Sequence, residues 1–109
     1  MIFKTFDEYL KIKEKVIDEL SEKFGCIVEF NGYVREYDIV DGGEVPTSEL
    51  YIKDEVFFHL HEIREKAIEK FGLLEVLVYH TQGFLKVGER VTAIAIFAKR
   101  RFEEIKKYH

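Results

Sequence analysis

Arg35 follows Asn31 and Tyr33 at two-residue intervals, which places all three on one side of a β-strand. A guanidinium carried on a rigid strand can grip a phosphate or carboxylate through two parallel hydrogen bonds. The competing use for Arg35 is a surface ion pair with Glu29 or Glu36. A second basic group, Lys99, Arg100 and Arg101, follows directly on the apolar run Val91 to Ala98. It emerges where a buried strand reaches the rim of a sheet, a common place for binding residues. His80 ends another strand-like run just before Gln82 and Gly83, where it can reach such a rim or hydrogen-bond a turn carbonyl.

Other chemistries find less support. His59 and His61 stand two apart in a helical stretch and so point about 200° apart, which prevents both from gripping one metal ion. Cys26 is the only thiol and belongs to an apolar strand face, as a small buried residue. No Gly-x-Ser-x-Gly elbow occurs, and Gly42-Gly43 lacks the Lys-Ser/Thr that completes a phosphate loop. Nucleophilic hydrolysis, nucleotide binding and a metal centre are not indicated.

The elements that must position these residues follow from periodicity. Thr5 with Glu8 fits a capping box, and Phe6, Tyr9, Leu10, Val16, Ile17, Leu20 and Phe24 recur at helical spacing until Gly25. From Cys26 the period becomes two, with Cys26, Val28, Phe30 and Val34 on an apolar side and Glu29, Asn31, Tyr33 and Arg35 on a polar side. Residues 36 to 47 hold Asp41, Gly42, Gly43 and Pro46, a turn or loop, or a hairpin joined to a short strand over Glu49 to Ile52. Asp54 can cap a second helix whose stripe is Phe57, Leu60, Ile63, Arg64, Ala67 and Phe71, closed by Gly72. Leu73 to His80, Phe84 to Val87 and Arg90 to Phe97 read as three antiparallel strands, the last central and covered on both faces. Arg100 to His109 could begin a short helix with Phe102 and Ile105 inward. The fold class is α+β: a mainly antiparallel sheet with two helices packed on it, expected against one face.

At 109 residues, 47% hydrophobic and 35% charged, the chain is expected to form a single domain over residues 1–109. No apolar run approaches the roughly 20 residues of a membrane span, and no secretory signal is evident, which points to the cytoplasm. The net charge of -4 is uneven: residues 99 to 109 hold 5 basic and 2 acidic side chains, against 12 and 19 in the rest. A mostly acidic surface disfavours nucleic acid, while one basic cluster suits a small anion or is a solvated helix end. With 10 Phe and 6 Tyr, the chain carries more apolar surface than one copy readily hides, so a homodimer is expected.

Two blocks, GCIVEFNGYVRE (Gly25 to Glu36) and LLEVLVYHTQGFLKVGERVTAIAIFAKRR (Leu73 to Arg101), resemble the large, MoaE-like subunit of molybdopterin synthase. The resemblance implies an α/β-hammerhead-type fold, a pocket for cyclic pyranopterin monophosphate and no resident cofactor. It also implies a small ubiquitin-like sulfur-carrier partner, whose C-terminal Gly-Gly thiocarboxylate donates sulfur to build the dithiolene of molybdopterin. Two large subunits would pair at the centre of a heterotetramer. Carried onto this chain, Arg35 in Gly-Tyr-Val-Arg and Arg101 hold the anionic substrate, Lys99 and Arg100 add positive field, and His80 stands where the family commonly has histidine. Arg100 replaces a family histidine, and a guanidinium cannot shuttle protons at neutral pH. The family's lysine-bearing tail, on which catalysis is expected to depend, would fall beyond His109, and SELYIK stands where a Tyr-Glu-x-Tyr segment is usual. Three readings follow: an active large-subunit homologue, an inactive relative that serves as a binding or regulatory partner, or an unrelated small-anion-binding module.

Overall fold

A threonine just before an amphipathic run starts a helix because its hydroxyl oxygen can accept an N–H left orphaned in the first turn. In the computed structural model, which describes residues 1–40, 43–46, 49–53 and 55–99, Thr5 Oγ1 accepts from the Glu8 N–H at 3.3 Å. The elements in chain order are β1 (Ile2–Phe3), α1 (Phe6–Glu19), β2 (Cys26–Tyr33), β3 (Tyr37–Val40), β4 (Gly43–Pro46), β5 (Glu49–Ile52), α2 (Glu55–Phe71), β6 (Glu75–His80), β7 (Gly83–Lys86) and β8 (Arg90–Ala98).

The helix expected to run to Phe24 ends a turn earlier, at Glu19. The Lys23 and Phe24 N–H groups both donate to the Leu20 carbonyl, at 2.8 and 3.3 Å, and this tight turn replaces the last helical turn. Gly25 then acts at the strand rather than at the helix end, its N–H donating to Ala98 at 2.8 Å.

The main sheet has four strands in the order β1-β6-β8-β2, with β8 central, as its nearly unbroken apolar run requires. β6 and β2 flank β8 antiparallel, and β1 joins β6 in parallel. Two smaller ribbons complete the described structure: β3 with β4, and β5 with β7. The hairpin in the 36–47 stretch is therefore closed by its own two strands, and the Glu49 to Ile52 strand pairs elsewhere. β7 also leaves the antiparallel set expected near the C-terminus. The reason is local: the Thr81 N–H donates to Val91 at 3.0 Å, so β6 connects straight to β8 and residues between them loop out to meet β5.

Strand parity decides which side each helix takes. Phe3, Leu77, Tyr79, Ala93, Ala95 and Phe97 share one face and form the core with Tyr9 and Val16 of α1. Tyr9, Leu77 and Phe97 are fully buried, each worth about 1.5–3 kcal/mol on side-chain burial. The small side chains of Ala93 and Ala95 let α1 approach the sheet, while Leu10 is left outside at 37% exposure. The alternate residues Val76, Val78, Ile94 and Ile96 face the other way, under Leu60, Ile63 and Ala67 of α2. The two helices thus pack on opposite faces, not on one. α2 sits loosely: none of its residues is buried, Ile63 is 63% exposed, and a cavity of about 170 Å³ remains beneath it. The apolar side of β2 lies on this thinner face, so Phe30 is 56% exposed.

Arg64 fastens α2 to the sheet. Its Nε donates to the Val76 carbonyl at 2.7 Å, Nη1 to Glu65 at 2.8 Å and Nη2 to Glu75. Burial acts to raise the Glu75 carboxyl, but Arg64, the Val76 N–H and the Met1 ammonium outweigh it and hold the group below the usual carboxylate range. The Asp54 cap and the short helix expected over Arg100 to His109 lie outside the described residues.

At Gly32 the β2–β8 register shifts by one residue, and a Cβ there would stand 3.0 Å from Thr92 Cγ2. Gly32→Ala is expected to lower stability by about 1–2 kcal/mol through overpacking. Thr92→Ser in the same chain should recover much of that loss, since it removes the methyl and keeps the hydroxyl that donates to Tyr79 at 2.7 Å. Urea midpoints of the two single variants and the double variant would show non-additivity; additive losses would mean that the methyl is not the obstacle.

Candidate functional site

The register shift between Gly32 and Tyr33 re-aims the end of β2. Beyond it, Val34 is buried, its N–H donates to Glu89 at 2.9 Å and its carbonyl accepts from Gly88 at 2.8 Å. Gly88 has a φ of 90°, a left-handed turn conformation that glycine adopts without strain. Arg35 is the next residue after this anchored position, and its side chain is exposed. Among the described residues Arg35 forms no salt bridge. In particular it does not pair with Glu29, whose Oε1 accepts from Tyr9 Oη at 2.8 Å and from Lys13 Nζ at 2.9 Å.

Arg90 stands beside this segment, and sequence reasoning missed it. It opens β8 opposite Tyr33, donates from Nη1 to Asn31 Oδ1, and its guanidinium carbon lies 4.2 Å from the Phe6 ring centre and 4.9 Å from that of Tyr33. The signal was faint. An arginine after a Gly-Glu turn is unremarkable until strand pairing sets it across from the polar side of β2.

His80 Nδ1 lies 2.7 Å from the Thr81 carbonyl oxygen, a contact that requires the proton on Nδ1. This is the hydrogen bond to a carbonyl just beyond the strand that the sequence offered as one use of His80. Its ring meets the edge of Phe57 at 6.4 Å between centres, and Lys4 Nζ sits 5.2 Å from the same Phe57 ring. Strand order then sets Lys4, His80, Arg90 and Arg35 along one end of the sheet, but its two faces divide them: Lys4 and His80 lie on the α2 side against Phe57, whereas Arg90 lies on the α1 side against Phe6.

Lys99 belongs to the other end. It follows Ala98, which pairs with Cys26, whereas Arg90 at the start of the same strand pairs with Tyr33. Nine residues of β8 span about 25 Å, so within one chain Lys99 does not join Arg35 and His80. Arg100 and Arg101 lie outside the described residues.

The charges around this end are ordered by partner. The Glu29 carboxyl is held below its usual range, first by the hydrogen bond from Lys13, then, against the opposing effect of burial, by the Tyr9 hydroxyl and the nearby positive charges of Lys13 and Arg90. Burial, followed by the bond to Glu29, pushes the Tyr9 phenol far above its ordinary value, so it stays protonated and serves as a donor. Arg35 and Arg90 supply this end with two guanidiniums, the donor type whose paired N–H groups match an oxyanion. The cavity under α2 has hydrocarbon walls apart from Arg64, which Val76, Glu65 and Glu75 already engage, so it is no anion site. Among the described residues no three His, Cys, Asp or Glu side chains converge as a metal site, and no helix is long and apolar enough to cross a membrane.

Comparisons with known proteins yield a family model, two relatives and a shared fold. The family model described as "MoaE protein" matches residues 6–108. An uncharacterized protein of Methanocaldococcus jannaschii is 42% identical over 119 aligned positions that cover 100% of both chains. The molybdopterin synthase catalytic subunit of Pyrococcus abyssi is 32% identical over 97 residues, covering 88% of this chain but only 64% of that protein. The structure of a complex of subunits 1 and 2 of molybdopterin-converting factor from Helicobacter pylori contains a chain that matches with a TM-score of 0.57 at 19% identity, covering 98% of this chain and 70% of that one, which establishes the shared fold.

The lowered Glu29 carboxyl makes a signed prediction. A carboxyl whose folded pKa is depressed contributes stability above its unfolded value, near 4.5, and loses it as pH falls through the folded value. Urea midpoints of the protein and of Glu29→Gln, taken from about pH 6 down to about pH 3, should therefore converge in acid. Because Glu29 is largely solvated, the gap at pH 6 should be small; a gap that widens in acid would contradict the assignment.

Proposed function

The chain belongs to the MoaE protein family, and on that premise we propose that it is the large subunit of a molybdopterin synthase. In this reading it binds cyclic pyranopterin monophosphate and passes to it sulfur from the thiocarboxylated Gly-Gly end of a small ubiquitin-like carrier. The name of the Pyrococcus relative supports a part in molybdopterin synthesis, and the two-subunit Helicobacter complex supports a second subunit as partner. The observation that carries the reading is Arg35 itself. Its guanidinium is exposed and without an ion pair among the described residues, yet the backbone just before it is clamped at Val34. Strong protein-ligand hydrogen bonding needs this combination: an unsatisfied charged donor on a segment that loses little entropy on binding.

A homodimer is part of the proposal, because one copy separates the basic groups. β2 is an edge strand of the main sheet and has an exposed Phe30 on its thinly covered side. Two copies related by a two-fold axis beside β2 would run these edges antiparallel. The Arg35 end of one copy would then approach the Lys99 end of the other, giving the cluster of basic residues that a single sheet holds apart. No catalytic acid or base is assigned among the described residues.

Arg35→Ala is expected to lower kcat/KM for conversion of the pyranopterin precursor about 10- to 100-fold, chiefly through KM, with the melting temperature unchanged. Mass-spectrometric assay of the dithiolene product with a thiocarboxylated carrier measures this, and unaltered kinetics would remove Arg35 from the substrate site. For the dimer, light scattering at micromolar concentration should show two copies in the parent and one in Phe30→Glu. A monomeric parent would count against the shared arrangement.

A further inference from the structure

Among the described residues two arginines, Arg64 and Arg90, are held by side-chain contacts, and they are used in different ways. Arg64 places all three of its nitrogens on protein acceptors, Val76, Glu65 and Glu75. Arg90 is held by Asn31 at Nη1 and by the rings of Phe6 and Tyr33, but among the described residues its Nε and Nη2 donate to no acceptor. Those two nitrogens form the side of a guanidinium whose N–H bonds run parallel, the edge that fits two oxygens of one phosphate or carboxylate. We propose that the Nε–Nη2 edge of Arg90 is an oxyanion-binding site, set beside Arg35 at the same end of the sheet. The inference rests on the proposed function and extends it with a second guanidinium that the sequence did not single out.

Three features favour a ligand over a purely structural use. The aromatic contacts and the Asn31 bond fix the guanidinium before binding, so an incoming anion meets donors already ordered. Glu29, the carboxylate whose charge reaches Arg90, makes its salt bridge with Lys13 and none with Arg90, so the opposing charge is partly neutralised and the Arg90 edge is left for another anion. Tyr33, which the Arg90 side chain overlies, precedes Arg35 by two residues, with the clamped Val34 between them. One anion source is the monophosphate of the pterin, and another is the carboxylate that the carrier's Gly-Gly end becomes once its sulfur has been passed on and water has taken its place; both present two oxygens to the edge.

The test uses the full chain labelled with nitrogen-15, with the Arg90 Nε–H signal and, as reporters present in every variant, the backbone amide signals of Tyr33 and Arg35 followed during titration. Inorganic phosphate is one titrant and a short peptide ending in Gly-Gly with a free carboxylate is the other. A saturable shift of the signal that disappears in Arg90→Lys is the expected result, with affinity about tenfold weaker in that variant although its charge is kept. Asn31→Ala, which unpins Nη1, should weaken binding about threefold, and it keeps the test decisive if Arg90→Lys does not fold. Saturation by phosphate alone assigns the site to the substrate, and saturation by the peptide alone assigns it to the carrier. A shift that stays linear with both titrants, or equal affinity in Arg90→Lys, overturns the proposal. Sulfur-transfer turnover is read separately: turnover with no saturable binding at Arg90 sinks only this inference, whereas saturable binding with no turnover sinks only the enzymatic reading.

Discussion

The antiparallel ladder between β2 and β8 is the constraint on which the rest of the molecule depends. It pairs Cys26 with Ala98 at one end and Tyr33 with Arg90 at the other, so it fixes which basic residues can meet. It also sorts the side chains by parity, sending Ala93, Ala95 and Phe97 to the α1 core and Ile94 and Ile96 to the α2 side. The shift at Gly32 is the one break in this ladder. It brings Val34 inward against the Gly88 turn and so presents Arg35 outward from an anchored backbone.

The two faces of the sheet do different work. On the α1 side, close packing around Tyr9, Leu77 and Phe97 supplies a dry core, and the Tyr9 hydroxyl is satisfied by Glu29 at its margin. On the α2 side the helix is fastened mainly through Arg64, and apolar side chains are left half covered around an unfilled space. Large apolar residues exposed on such a face fit assembly with another chain better than a free surface. The proposed dimer therefore answers two features at once, the uncovered hydrocarbon and the distance between Arg35 and Lys99.

Several local choices were legible from the residues. Thr5 capped α1 as its spacing to Glu8 suggested, the period-two run from Cys26 became β2, and the apolar run ending at Ala98 became the central strand. The two blocks that suggested the family lie within the stretch that its model matches. Other features were not legible. The stripe of α2 reads like any core stripe, and nothing in Leu60 or Ile63 reveals that its cover is incomplete or that it lies opposite α1. Likewise, Phe84 and its neighbours alternate like a member of the main sheet, although they pair with β5 instead.

By itself the sequence determined what short-range chemistry can decide, namely the start of the first helix, the alternation that gives β2 an apolar and a polar side, and the burial of β8, while the family came from the resemblance of two blocks and not from any such pattern. Periodicity suffices there because each signal involves residues within a turn or two of one another. Only the tertiary structure decided that Arg90 lies against Tyr33, that Lys99 stands about 30 Å along the strand from that end, and that the helices flank the sheet. Those facts depend on register between strands some sixty residues apart in the chain, and register is set by packing the whole core rather than by any local pattern.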